Sequence, residues 1–101
     1  MAIDVNKAIR MAVDTGKVEI GARKTEKYIK NGKGKMIIIA DNCPKDIKHN
    51  IKYYSRLSDI FLYPFKGNNM DLGRACGKPF SVSALVVFEA GDSNILNLIK
   101  K

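Results

Sequence analysis

Apolar residues recur along the chain in two rhythms, one near 3.6 residues and one near two, and the switches between them divide it into alternating helices and strands. Val5, Ala8, Ile9, Ala12 and Val13 share one helical face, with Asp4 placed as a cap and Gly16 just past the end, which predicts an amphipathic helix. Lys17-Val18-Glu19-Ile20 then alternates polar and apolar as a short half-buried strand does, and Gly21 ends it. The helical period returns in Ala22, Thr25, Tyr28 and Ile29 and stops at the turn cluster Asn31-Gly32-Lys33-Gly34. Met36-Ile37-Ile38-Ile39-Ala40 is apolar without interruption and rich in β-branched residues, which predicts a central strand covered on both faces. Pro44 takes the first position of the next helix, whose inner face is expected to run through Ile47, Ile51, Tyr54 and Leu57. Ile60 to Tyr63 reads as a short strand stopped by Pro64. Gly67-Asn68-Asn69 opens a short helix carrying Leu72, Ala75 and Cys76, which Gly77 and Pro79 end. Val82 to Phe88 is the second buried strand, and Asp92 or Ser93 caps a last helix that turns Ile95, Leu96 and Ile99 inward.

Helix and strand therefore alternate along the whole chain with short connections, the pattern of a sheet between two helical layers. The expected fold class is α/β, a three-layer α/β/α sandwich with a central four-stranded mixed sheet. With 101 residues, 46% of them hydrophobic, the chain supports one core and a single domain over 1–101. The longest apolar runs, 36–40 and 84–88, are far too short to span a bilayer, and Met1-Ala2-Ile3-Asp4 lacks the basic and apolar regions of a secretory signal. A cytosolic protein with no membrane partner is expected.

Charge changes the picture more than composition does. Eighteen Lys and Arg against ten Asp and Glu give a net charge of +8, which favours a polyanionic partner. The basic residues concentrate in Arg23, Lys24, Lys27, Lys30, Lys33 and Lys35, where Glu26 is the one acid between Gly21 and Lys35. Gly21 ends a strand and opens a helix, so the first-turn amides of Ala22, Arg23 and Lys24 face outward at the positive end of the helix dipole. Lys27, Lys30 and Lys33 read more simply as a solvated helix face. Arg23 and Lys24 oppose the dipole, a local cost that function would explain.

Other chemistry finds less support. Gly32-Lys33-Gly34-Lys35 precedes a strand, whereas a phosphate-binding P-loop follows one, and 67–73 lacks the glycine spacing of a dinucleotide fingerprint. Cys43 and Cys76 lie too far apart in sequence for a paired zinc motif, and His49 is the sole histidine, so neither metal nor cofactor is expected. Cys43 at a helix start with His49 six residues on leaves one enzymatic alternative: a small cytosolic thiol or phosphate-dependent enzyme centred on Cys43 and the Gly21 turn. The bland account makes Cys43 buried, His49 exposed and Cys76 core. Phe80, in Gly77-Lys78-Pro79-Phe80, either fills the core or stands exposed to stack on a base with Lys78 on phosphate.

Asp14-Thr15-Gly16-Lys17, Gly21-Ala22-Arg23-Lys24, Ile37-Ile38-Ile39-Ala40-Asp41-Asn42, Tyr53-Tyr54-Ser55-Arg56-Leu57-Ser58, Asp71-Leu72-Gly73, Gly77-Lys78-Pro79-Phe80 and Glu89-Ala90-Gly91-Asp92-Ser93 together resemble the archaeal and eukaryotic large-subunit ribosomal proteins of the thirty-e family. The resemblance spans nearly the whole chain. It implies a three-layer α/β/α protein of the superfamily that binds kink-turn and related internal loops of RNA, hence ribosomal RNA as partner, a place in the large subunit of the cytoplasmic ribosome, and no catalysis. It carries RNA contact onto Gly21, Ala22, Arg23 and Lys24, onto Asn42, and onto the loop Gly77, Lys78, Phe80, Ser81 and Val82, while Lys27 is expected to join Lys24 and Lys78 in neutralising phosphates. Other ribosomal components are expected as neighbours and a monomer is expected outside the ribosome, and regulation of the protein's own messenger RNA stays open as an alternative within the same class. The sister seven-Ae family typically has Gly-Thr-Asn-Glu where this chain has Gly-Ala-Arg-Lys. A carboxylate contact to guanine does not transfer, because Lys24 donates hydrogen bonds and cannot accept them.

Overall fold

The computed structural model describes residues 4–98. Helices α1 (Val5–Thr15), α2 (Ala22–Lys30), α3 (Lys45–Leu57) and α4 (Asn69–Ala75) alternate with strands β1 (Lys17–Ile20), β2 (Met36–Ile39), β3 (Phe61–Pro64) and β4 (Ala84–Glu89), and a 3-10 turn covers Ile95–Leu98. The sheet order is β1-β4-β2-β3. β2 pairs in parallel with β3, whereas β4 runs antiparallel to both β1 and β2, so the sheet is mixed as expected.

Period-two alternation along the two central strands sorts the core into two faces. Met36 and Ile38 of β2 with Leu85 and Val87 of β4 pack against Ala8, Ile9 and Ala12 of α1, Leu72 and Ala75 of α4, and Ile95. Ile37 and Ile39 with Ala84 and Val86 pack on the other side against Ile29 of α2 and Ile47 and Ile51 of α3. Four consecutive buried residues in β2 are what a strand needs when helices cover it above and below.

Several boundaries differ from the sequence reading, each for a local reason. Leu57 was expected on the inner face of α3, but it is 66% exposed. At 3.6 residues per turn it lies about 120° round the helix from the buried Ile51, whereas Ser55 lies only about 40° from it and takes the inner position. The strand expected at Ile60 begins at Phe61, because the Ile60 N–H donates back to the Ser55 carbonyl (2.9 Å) and closes α3 instead. Pro64 does not stop that strand but ends it from within, opposite Ile39, a place open to proline because β3 is a sheet edge. The last strand starts at Ala84 rather than Val82, whose N–H is taken by the Asn69 carbonyl (2.9 Å). The final helix is a short 3-10 turn capped by Ser93, whose Oγ accepts from the Ile95 N–H (3.0 Å) and donates to the Ala8 carbonyl (2.6 Å). Ile99 lies outside the described residues. No helix among those described is long and apolar enough to cross a membrane.

Candidate nucleic-acid interface

The topology brings three separated segments to one end of the sheet. β1 and β2 finish there while β4 begins there, so the turn at Gly21, the loop at 40–44 and the loop at 76–83 are neighbours. Backbone bonds tie them together: Gly21 N–H donates to Ala84 (2.9 Å), Ala40 N–H to Ser83 (2.8 Å), and Asp41 N–H to the Gly67 carbonyl (3.0 Å).

Gly21 has φ of 130° and ψ of 137°, a conformation that L side chains rarely adopt, and an added Cβ would meet nothing nearer than the Lys24 side chain at 3.9 Å. Glycine is needed here for its backbone angle, not for space. The first intrahelical bond of α2 runs from Thr25 N–H to the Gly21 carbonyl (2.9 Å), and no side chain caps the helix. The amides of Ala22, Arg23 and Lys24 are left to meet an outside acceptor at the positive end of the dipole. Arg23, Lys24 and Lys27 are exposed. Lys24 Nζ lies 4.0 Å from Glu19 Oε2, a surface pair too loose to hold its charge away from a ligand.

Asn42 is exposed, but its amide is already engaged: Oδ1 accepts from the Asn69 N–H (2.7 Å) and Nδ2 donates to Asn69 Oδ1 (3.1 Å). With the Asn69 carbonyl also holding Val82 N–H, Asn69 is the junction of the 40–44 loop, the start of α4 and the approach to β4. The sequence reading saw only a turn and cap here. Its neighbour Asn68 does cap α4, in a reciprocal capping box with Asp71.

Phe80 is 55% exposed. Of the two readings open in the sequence, the core one is excluded. Its loop is braced from below by α4: Gly77 N–H donates to Arg74 (2.9 Å) and Lys78 N–H to Gly73 (3.0 Å). Gly73 is buried, and a Cβ there would collide with the Phe80 carbonyl oxygen. Gly77, Lys78 and Ser81 are exposed beside Phe80, whereas the RNA contact expected at Val82 is not supported: Val82 is 1% exposed, packs in the core and gives its N–H to the Asn69 carbonyl. Gly73 was missed as a site-building residue, although glycine in the middle of a short helix is itself a signal of close approach.

Cys43 supplies no nucleophile. Burial pushes its thiol up from the usual range, with Lys48 pulling down less strongly and Asp46 adding to the rise. His49 is exposed on α3, and Cys76 lies in the core with its thiol pushed up to about 11 by burial against the opposing pull of Lys78.

Known proteins resemble the chain over nearly its whole length. Residues 3–97 match the model of the ribosomal protein L7Ae/L30e/S12e/Gadd45 family. The large ribosomal subunit protein eL30 of Methanocaldococcus jannaschii is 52% identical over 98% of this chain and 90% of its own length. The protein of the same name from Methanothermobacter thermautotrophicus is 45% identical over 96% of this chain and 99% of its own. A solved structure of a Bacillus halodurans protein of unknown function shares the fold, with a TM-score of 0.80 over 96% of each chain at 22% identity. By sequence along its whole described length, and by the fold that sequence builds, the chain belongs to the ribosomal protein L7Ae/L30e/S12e/Gadd45 family.

Proposed function

We propose that this protein is a structural constituent of the large subunit of the cytoplasmic ribosome, that its partner is ribosomal RNA, and that it is not an enzyme. Its relatives at 45–52% identity are large ribosomal subunit proteins eL30. The observation that carries the RNA reading is the union, at one end of the sheet, of an uncapped basic helix start and a braced, outward-facing Phe80. A kinked internal loop of RNA presents what that end can recognise: an unstacked base for the Phe80 ring and phosphates for Lys24, Lys27, Lys78 and the α2 amides. Asn42, fixed by Asn69, keeps one amide hydrogen for a base edge or sugar hydroxyl. The same geometry would serve a matching loop in the protein's own messenger, and the free protein is expected to be a monomer.

The test is Phe80→Ala, compared with the unaltered protein on an RNA with an asymmetric purine-rich internal loop and on a plain duplex of equal length. The unaltered protein should prefer the loop, and the variant should lose about 1–3 kcal/mol of that preference while melting at nearly the same temperature. A loop preference that survives in Phe80→Ala would remove the ring from the site.

A further inference from the structure

The opposite helical layer carries a second basic surface that the loops do not use. A cleft of about 470 Å³ lies between α1 and α4, lined by Lys7 and Arg10 of α1, Arg74 of α4 and Lys66 from the turn after β3. All four cations are exposed. Asp71 is the one carboxylate in the lining, and both its oxygens are committed: Oδ2 accepts from the Asn68 N–H (3.2 Å) and Oδ1 from Arg74 Nη1 (3.2 Å). Arg10 Nε holds Asp14 (3.0 Å), while its guanidinium lies over the Gly77 turn, where an added Cβ would meet it at 2.5 Å. The cleft is thus continuous with the loop that presents Phe80.

We infer that this cleft seats the sugar-phosphate backbone of an RNA strand leaving the Phe80 platform, so that the bent RNA is gripped on both helical layers and not only along α2. The inference rests on the RNA-binding reading of the loops and extends it to a new surface. Backbone is favoured over an acidic protein segment because the cleft lacks an apolar anchor. Its two apolar lining residues, Phe65 and Ala75, are both buried, whereas a protein interface needs an accessible apolar centre. Unclustered, exposed cations along an open polar cleft suit a row of phosphates, which need charge and reach but no fixed pocket.

Lys7 and Lys66 are the residues to change, since both are exposed and neither side chain forms an ion pair among the described residues. The K7Q/K66Q double variant, bound to the kinked-loop RNA with stems of about one helical turn, should keep its preference for that RNA over plain duplex. Its affinity should fall about tenfold, and its salt slope by about two units, one for each phosphate no longer neutralised. Phe80→Ala should do the reverse, losing the preference and keeping the slope. Unchanged affinity and slope in the double variant overturn the cleft proposal even where Phe80→Ala behaves as expected, and would hand the surface to an acidic protein. In the unaltered protein the RNA should also shield Lys7 and Lys66 from acetylation while Lys35 stays reactive; full reactivity of both in the complex overturns the proposal without any substitution.

Discussion

Cys76 and Phe80 stand four residues apart and meet opposite fates, one in the core and one in solvent. Residue type alone would have assigned both to the interior. What separates them is the turn between: Gly77 and Pro79 reverse the chain after α4, and the carbonyl of Phe80, rather than its ring, packs against Gly73. The buried thiol has its own consequence for stability. An unfolded Cys76 ionises near its ordinary value of 9.0, whereas the folded protein holds the proton to about 11. Between these values the folded state binds more protons than the unfolded one, so stability present below pH 9 is lost as the pH rises toward 11. Two pK units correspond to roughly 3 kcal/mol. Urea unfolding at about pH 8, 9, 10 and 11 should show a steeper alkaline loss for the unaltered protein than for Cys76→Ala, since titration of the lysines and tyrosines is common to both. Parallel curves would mean the thiol is not held neutral.

At the scale of elements, the hydrophobic rhythm was enough to find the four helices and four strands within a residue or two, because each has an apolar face that its period exposes. Asp4 was readable as a cap for the same reason, standing just before such a face, whereas the pattern narrowed the other caps only to the cluster Gly67-Asn68-Asn69 and to Asp92 or Ser93, of which Asn68 and Ser93 do the capping. What could not be read was any feature decided by a partner distant in sequence. Asn42 and Asn69 are 27 positions apart, and neither residue in isolation signals their double hydrogen bond. Val82, between Ser81 and Ser83, leads by a period of two into the apolar run 84–88 and looks like strand, yet Asn69 takes its N–H and keeps it out of the ladder. Gly73 turns this into a test, since local and tertiary effects have opposite signs there. Helix propensity alone makes Gly73→Ala stabilising by about 1 kcal/mol. The collision with the Phe80 carbonyl makes it destabilising by about 1–3 kcal/mol, and displaces the loop that presents the ring. Thermal unfolding should show the loss, and the surviving folded protein should bind kinked RNA more weakly. A raised melting temperature with full RNA affinity would refute the bracing role of α4.

For the whole molecule, alternation of helix and strand revealed three layers but not the strand order, since β4 inserts between β1 and β2 through pairings that no local pattern encodes. That insertion is what creates the site. Had β4 added at the outer edge of β3, the Phe80 loop would have been carried away from Gly21. Instead the sheet has a recognition end, holding Gly21, Asn42 and Phe80, and an opposite end where Lys17 pairs with Glu89 and Lys35 N–H donates to Val87 (2.8 Å). A net charge of +8 does not distinguish these ends, and a purely electrostatic binder would use both. Lys24 and Lys35 belong to the same basic stretch of sequence but stand at opposite ends of the sheet, so they isolate the effect of position from that of charge. Lys24→Gln should lower the slope of log affinity against log salt by about one unit on kinked RNA, the signature of one phosphate no longer neutralised. Lys35→Gln, which removes the same charge at the far end of the sheet, should leave the slope unchanged and the affinity within about twofold, because at about 0.15 M salt the field of a surface charge decays over roughly 8 Å. Equal losses from the two substitutions would mean that the basic surface acts as a diffuse cloud and that the end of the sheet confers no register on the RNA.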